Sequence, residues 1–228
     1  MPAQRSGKVI EFNEVKKSFL SRSHWIKRQP VTELGHRIVA ATVDEFASKG
    51  VQGARVAGIT GRAGTTDPNF YRYFVGLRQA ALFIMSEYYW TPLNKRVNHY
   101  REATSQPEKL FDLILTSLIR SAEDDPARPW LAESKVFQMV VAESRNPFLL
   151  PEAAADAAYL SFLGTLENVI RAAQKKRIFK AQFRPALLAS LLVTTLHGLL
   201  AIRERDARGV RVTEAEVRKL AHHLVGKN

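Results

Sequence analysis

Apolar side chains recur at three, four and seven residues along much of this chain, and that spacing constrains the fold more than any other feature. Tyr159, Phe162, Leu163, Leu166, Val169 and Ile170 make one helical stripe by this rule. Leu34, Ile38, Ala41 and Phe46 share a broad arc of another. Strand signals are nearly absent: no convincing period-two run is found, and no Asn-Gly or Asp-Gly pair joins alternating segments. Helix punctuation is abundant instead. Thr32-Glu33 suits the start of a helix that runs to Gly50, a natural stop. Pro185 fits the first turn of a later helix, where its missing N–H costs nothing. Thr213 to Glu216 has the capping-box pattern, followed by Val217, Leu220 and Leu224 on one face. The sequence predicts an all-α fold.

Breakers at Ser105-Gln106-Pro107, Asp124-Asp125-Pro126 with Pro129, Asn146-Pro147 with Pro151, and Asp206 to Gly209 mark loops or helix ends. The chain has no cysteine, which excludes disulfide scaffolds, thiolate zinc sites and cysteine nucleophiles. It carries 34 Lys and Arg against 22 Asp and Glu, a net charge of +12. Such a surplus favours a polyanionic partner, nucleic acid or an anionic membrane surface. The most apolar stretch, Ala186 to Ile202, is slightly short for a membrane span and includes Ser190, Thr194, Thr195 and His197. The N-terminus has no apolar run long enough for a signal-peptide core. A cytoplasmic protein without membrane segments is expected.

Residues 1–30 hold seven basic and two acidic residues, a net charge of +5, and form a basic arm ahead of the helix that starts at Thr32-Glu33. Three readings stay open for it: a solvated tail, an arm that contacts DNA, or an amphipathic helix from Val9 to Leu20 that docks on the protein. Enzyme signatures are missing. There is no H-E-x-x-H, no G-x-S-x-G and no glycine-rich phosphate loop. His222 and His223 are adjacent and point to different sides of a helix, and Glu87, Glu143 and Glu167 show no dyad spacing. No enzyme activity, cofactor or metal is expected.

Residues 50–76 carry the functional argument. Arg55 to Arg62 forms a short helical stretch with Val56 and Ile59 three apart, although Gly58 and Gly61 each weaken it by about 1 kcal/mol relative to Ala. Ala63-Gly64 makes a tight break, with glycine supplying positive φ. Thr66 is placed to cap a second short helix that runs through Asp67 and Pro68 to Tyr73. Two short helices joined by a glycine-containing turn are the helix-turn-helix pattern. Thr66, Asn69, Tyr71, Arg72 and Tyr73 on the second helix are polar, aromatic and basic groups suited to base edges and phosphates.

The stretch from Ile38 to Leu82 resembles the DNA-binding domain of the tetracycline-repressor family of bacterial transcription regulators. Ile38, Ala41, Phe46, Gly50, Ile59, Ala63-Gly64, Phe70-Tyr71, Tyr73-Phe74 and Leu82 carry the resemblance in order and spacing. Behind the basic arm over 1–30, it implies a helix-turn-helix domain over 31–80 and a helical ligand-binding and dimerisation domain over 81–228. The DNA-binding set is then Arg55, Thr65, Thr66, Asp67, Asn69, Tyr71, Arg72, Tyr73 and Arg78. Some of these positions depart from the family pattern. Thr66-Asp67-Pro68-Asn69 replaces a small residue followed by Lys-Gly-Thr, Leu77 replaces a lysine with Arg78 beside it, and Arg55 replaces a threonine. Asp67 is read either as complementing the helix dipole or as accepting from cytosine N4. Tyr71 is read as a backbone contact or as a half-buried packing residue, whereas Phe70 and Phe74 belong to the core.

In the remaining chain the resemblance implies a pocket between helices. Tyr88, Trp90, Phe111, Trp130 and Phe137 are its aromatic candidates, and Asn98, Glu143 and His197 its polar ones; His197 is equally readable as a hydrogen-bonded core residue. Few charges fall among them, which points to a hydrophobic or aromatic effector. The helices from about Tyr159 to Lys175 and from Pro185 to Glu204 are assigned the two-fold interface of a homodimer, with Leu163, Leu166, Leu192, Leu196 and Leu199 as contacts. The function so implied is a one-component regulator, a repressor released from a palindromic double-stranded DNA operator by a small effector. The alternative is a helical adaptor that kept the fold without operator binding.

Overall fold

A computed structural model describes residues 25–119, 128–143, 156–205 and 213–226. The described residues are helical with no strand. In chain order they form α1 (Glu33–Gly53), α2 (Val56–Arg62), α3 (Asp67–Tyr73), α4 (Leu77–Met85), a π-helical turn (Ser86–Trp90), α5 (Thr91–Ala103) and α6 (Pro107–Ile119). Then follow α7 (Glu133–Glu143), α8 (Ala157–Lys175), α9 (Pro185–Arg205) and α10 (Glu214–Leu224). The breakers expected at 124–126, 146–151 and 206–209, and the helix weighed for Val9 to Leu20, lie outside the described residues. No described helix is long and apolar enough to cross a membrane.

The helix ends follow local chemistry. Thr32 caps α1, its Oγ1 accepting from Gly35 N–H at 3.2 Å. Asp156 caps α8 by accepting from the N–H groups of Ala158 and Tyr159, each at 3.0 Å. Thr213 and Glu216 form the expected capping box. Regular helix ends at Gly50 as expected, with φ 69 and ψ 165; one further turn follows before Ala54. That φ/ψ combination is essentially reserved for glycine.

One feature of the chain path went unpredicted. α4, the π turn and α5 run on as a single helical rod, in which Thr91 N–H bonds Ser86 O, five residues back. Pro92 explains the widened turn. In a regular helix its ring would collide with the carbonyl four residues earlier and delete a hydrogen bond. The extra residue relieves that collision, and it lets Tyr88, Tyr89 and Trp90 all be buried in succession.

α1 packs against α2 and α4 on one side and against α7 on the other. Ile38, Val39, Ala41, Val43 and Phe46 are all buried, so its apolar surface is wider than a single stripe. Within this core Glu45 is fully buried; its carboxylate accepts from Lys49 Nζ at 2.6 Å and Arg62 Nε at 3.2 Å. The Lys49 hydrogen bond, outweighing burial, holds this carboxyl below the usual range, with the Arg55 backbone and the Arg62 charge adding to it. Gly58 makes room for the carboxylate, since a Cβ there would stand 2.5 Å from Glu45 Oε1. The glycine that weakens α2 intrinsically is thus required by packing, whereas Gly61 faces open space.

Replacing Gly50 with Ala tests the α1 break. The side chain would be strained by φ and would also approach Glu143 Oε1 to 3.2 Å. The unfolding free energy should fall by about 1–3 kcal/mol, read as a lower urea midpoint at unchanged slope.

Candidate nucleic-acid interface

α2, its turn and α3 form a compact reading unit whose turn closes as the sequence suggests. Gly64 takes φ 61, and Thr65 N–H returns to Thr60 O at 2.9 Å, the six-to-one bond of a glycine helix stop. Thr66 occupies the cap position of α3, but its side chain makes no capping bond, contrary to expectation. The cross-link between the helices comes from elsewhere: Thr60 Oγ1 donates to Asp67 Oδ1 at 2.6 Å. Asp67 therefore engages a threonine of α2, a role that neither sequence reading foresaw.

The two faces of α3 differ sharply. Phe70 and Phe74 are fully buried, with ring centroids 5.4 Å apart. Tyr73 is buried too, and its hydroxyl lies 2.8 Å from Thr32 Oγ1. This corrects its assignment to the DNA-facing set: Tyr73 joins α3 to the cap of α1. The opposite face is open. Tyr71 is 44% exposed, and Arg72, Thr66, Asp67 and Pro68 are exposed beside it. Asn69 Nδ2 donates to Thr65 Oγ1 at 2.8 Å, and Arg72 Nη1 to Asn69 Oδ1 at 3.3 Å, which lines up three predicted residues along one edge. Arg55 is exposed at the start of α2, and Arg78 is half-buried at the start of α4.

The predicted pocket residues do not share one site. Trp90, Phe137 and His197 converge around Tyr89, whose hydroxyl lies 3.0 Å from His197 Nε2. Tyr88 turns away to Trp130, which in turn stacks on His36 with centroids 4.2 Å apart. Phe111 packs on Phe179 and His222 in a third cluster. Asn98 is exposed on α5, away from these clusters' buried aromatic residues. Glu143 is buried for a different purpose, its Oε1 accepting from Val51 N–H at 2.9 Å just past the α1 break. Tyr89 was missed because three consecutive aromatics cannot all face a core in a regular helix.

Three of the five predicted dimer contacts need correction. Leu166, Leu192 and Leu196 are buried inside the protomer, and Leu163 and Leu199 pack partly against its core. Among the described residues of α9 and the turn before it, Phe183 (52%), Leu187 (43%) and Leu191 (41%), spaced four apart, are exposed. Leucines surround α9, so periodicity alone could not say which face is outermost.

Residues 38–78, from α1 to the start of α4, match the family model of bacterial regulatory proteins, tetR family. The chain carries a TetR-family N-terminal domain. Solved structures extend the likeness along the chain. The fatty acid degradation regulator FadR from Bacillus halodurans is 17% identical over 86% of this chain and 96% of its own, with a TM-score of 0.66. AibR, solved with isovaleryl coenzyme A and operator DNA, is 16% identical over 85% and 99%, with a TM-score of 0.61. SmeT, the repressor of the Stenotrophomonas maltophilia multidrug efflux pump SmeDEF, is 17% identical over 86% and 89%, with a TM-score of 0.61. At these identities the likeness is one of fold. No curated protein matches the chain. The TetR-type head and the helical body behind it thus form an all-α architecture shared with these regulators.

Burial drives the pKa of His197 down to about 4. The unfolded chain, near the ordinary 6.5, then binds the proton more readily than the folded one. Stability should be complete above about pH 6.5 and decline as pH falls toward 4, by at most about 3 kcal/mol. His197→Gln, which keeps a polar partner for Tyr89, should lack that component. Parallel stability profiles for the two proteins between pH 7 and 4 would contradict it.

Proposed function

We propose that the protein is a homodimeric, one-component transcription regulator in which α3 enters the major groove of a palindromic operator. The observation that carries this reading is the partition of α3. Its aromatic side is spent on the core, and its polar, tyrosine-bearing and cationic side stands free. Thr65, Thr66, Asn69, Tyr71 and Arg72 are then the contacts to bases and backbone, with Arg55 and Arg78 flanking them. The charge of +12 supplies the sequence-independent attraction such a protein needs. Residues 31–80 act as the reading head and 81–228 as the body.

AibR has been solved with operator DNA and an acyl-coenzyme A, FadR from Bacillus subtilis with stearoyl-CoA, and SmeT with triclosan. By analogy with SmeT, a repressor that binds triclosan, this chain acts as a repressor released by an effector with a largely apolar part, as triclosan and the acyl chains have. The Tyr89, Trp90, Phe137 and His197 cluster is the wall such a ligand would meet. To weaken DNA binding, the effector must favour one arrangement of the heads over another, typically by about 1–3 kcal/mol. The exposed Phe183, Leu187 and Leu191 form the two-fold contact in place of the inward-facing leucines.

DNA selected by the wild-type protein from a randomised pool supplies the test. Tyr71→Ala and Arg72→Ala should each weaken binding by about tenfold or more, on the scale of a lost specific contact. Tyr73→Phe should leave affinity intact while lowering stability by about 1 kcal/mol. A pool from which no sequence emerges would contradict operator reading. Light scattering tests the assembly separately: the wild type should be a dimer at micromolar concentration and Leu191→Glu a monomer, whereas a monomeric wild type would refute the interface.

A further inference from the structure

The segment ahead of α1 runs along the end of the reading helix. Lys27 N–H donates to Tyr73 O at 2.7 Å, Val75 N–H donates to Trp25 O at 3.4 Å, and Ile26 pairs with Phe74 in an isolated antiparallel bridge. Tyr73 is the last residue of α3, so its carbonyl has no partner within the helix; Lys27 supplies one. Ile26 is buried, and Lys27 and the following Arg28 are exposed. Among the described residues, neither cation has an ion-pair partner.

We propose that Lys27 and Arg28 form a phosphate clamp that grips the DNA backbone beside the bases read by α3. The proposal rests on the DNA-binding reading above. Their position carries it: the backbone of Lys27 is bonded to the residue that follows the exposed Arg72, so these cations continue the open edge of the helix. The clamp is also pre-ordered, because the bonds to Tyr73 and Val75 and the burial of Ile26 hold its backbone before DNA arrives. Of the readings of the arm, the one that contacts DNA is thereby located at its root. Its inward side chain docks on the protein, and the outward ones are directed to DNA. Lysine and arginine on a short bent segment suit phosphates, which set register and orientation without choosing sequence.

The full chain is tested on two probes, a short random-sequence duplex and the duplex selected by the wild type. Each neutralised phosphate adds about 0.9 to the slope of log affinity against log salt. Lys27→Ala/Arg28→Ala should therefore be shallower by about 1.8 on both duplexes. Its deficit relative to wild type should shrink about twelvefold from about 50 to about 200 mM salt. Its thermal midpoint should match the wild type, because both side chains are exposed. Lys175→Ala/Lys176→Ala removes the same charge from the end of α8 and should leave the slope unchanged. A wild-type slope in Lys27→Ala/Arg28→Ala, or an equal loss in the α8 pair, overturns the clamp while the DNA-binding reading stands. A wild type that binds neither duplex at low salt overturns that reading, and the clamp with it.

Discussion

The rest of the structure depends on α1 being buried from two sides. Its Ile38, Ala41 and Phe46 belong to the core under the reading helices, while α7 covers a second face. A helix used this way cannot shift toward one neighbour without opening a gap against the other, because packed interiors leave few voids. The polar ties obey the same geometry. Glu45 anchors α1 to α2 through Arg62 on the inner side. On the outer side Asp44 meets Lys135 at 2.5 Å, and Glu143 holds Val51 from the other end of α7. The two ends of α7 thus clamp α1 along its length. Removing both cations would strand the buried Glu45 carboxylate, which costs far more than the ion pairs contribute.

The rod from α4 to α5 makes the second connection, and Pro92 shapes it. Because the π turn places adjacent residues on different sides, Tyr88 reaches Trp130 and through it His36 on α1, while Tyr89 and Trp90 reach His197 in the body. Residues one position apart in sequence therefore lead to the reading head, by way of Trp130, and to the centre of the bundle. In the proposed regulator this is a contiguous route between an effector and α3. Contiguity supplies the material path, and the coupling itself is the free-energy difference that a ligand imposes on two arrangements of the head.

Much of this was legible in the sequence, for reasons that are local. Thr32, Gly50, Gly64 and the Thr213–Glu216 box act within a turn or two of themselves, so composition and spacing suffice to find them. The burial of Phe70 and Phe74 follows from their spacing of four on a short helix. What stayed hidden depends on partners distant in the chain. Tyr73 reads as a polar aromatic on a DNA-facing helix until Thr32, 41 residues earlier, is found against its hydroxyl. Glu143 reads as a ligand-orienting polar group until Val51, 92 residues away, proves to be its donor. Leu166, Leu192 and Leu196 could not be told from surface leucines on helices whose apolar residues spread widely round the axis. Asp67 was missed because the threonine that meets it lies across the turn.

The central claim is that the reading head and the helical body form one cooperative unit through α1. Differential scanning calorimetry of the protein without DNA tests this most directly. A shared wall predicts a single endotherm, because separating α1 from α7 exposes core on both sides at once. Two resolved endotherms, the lower with the heat of a unit of some fifty residues (about 35 kcal/mol), would contradict it by showing that the head melts while the body stays folded.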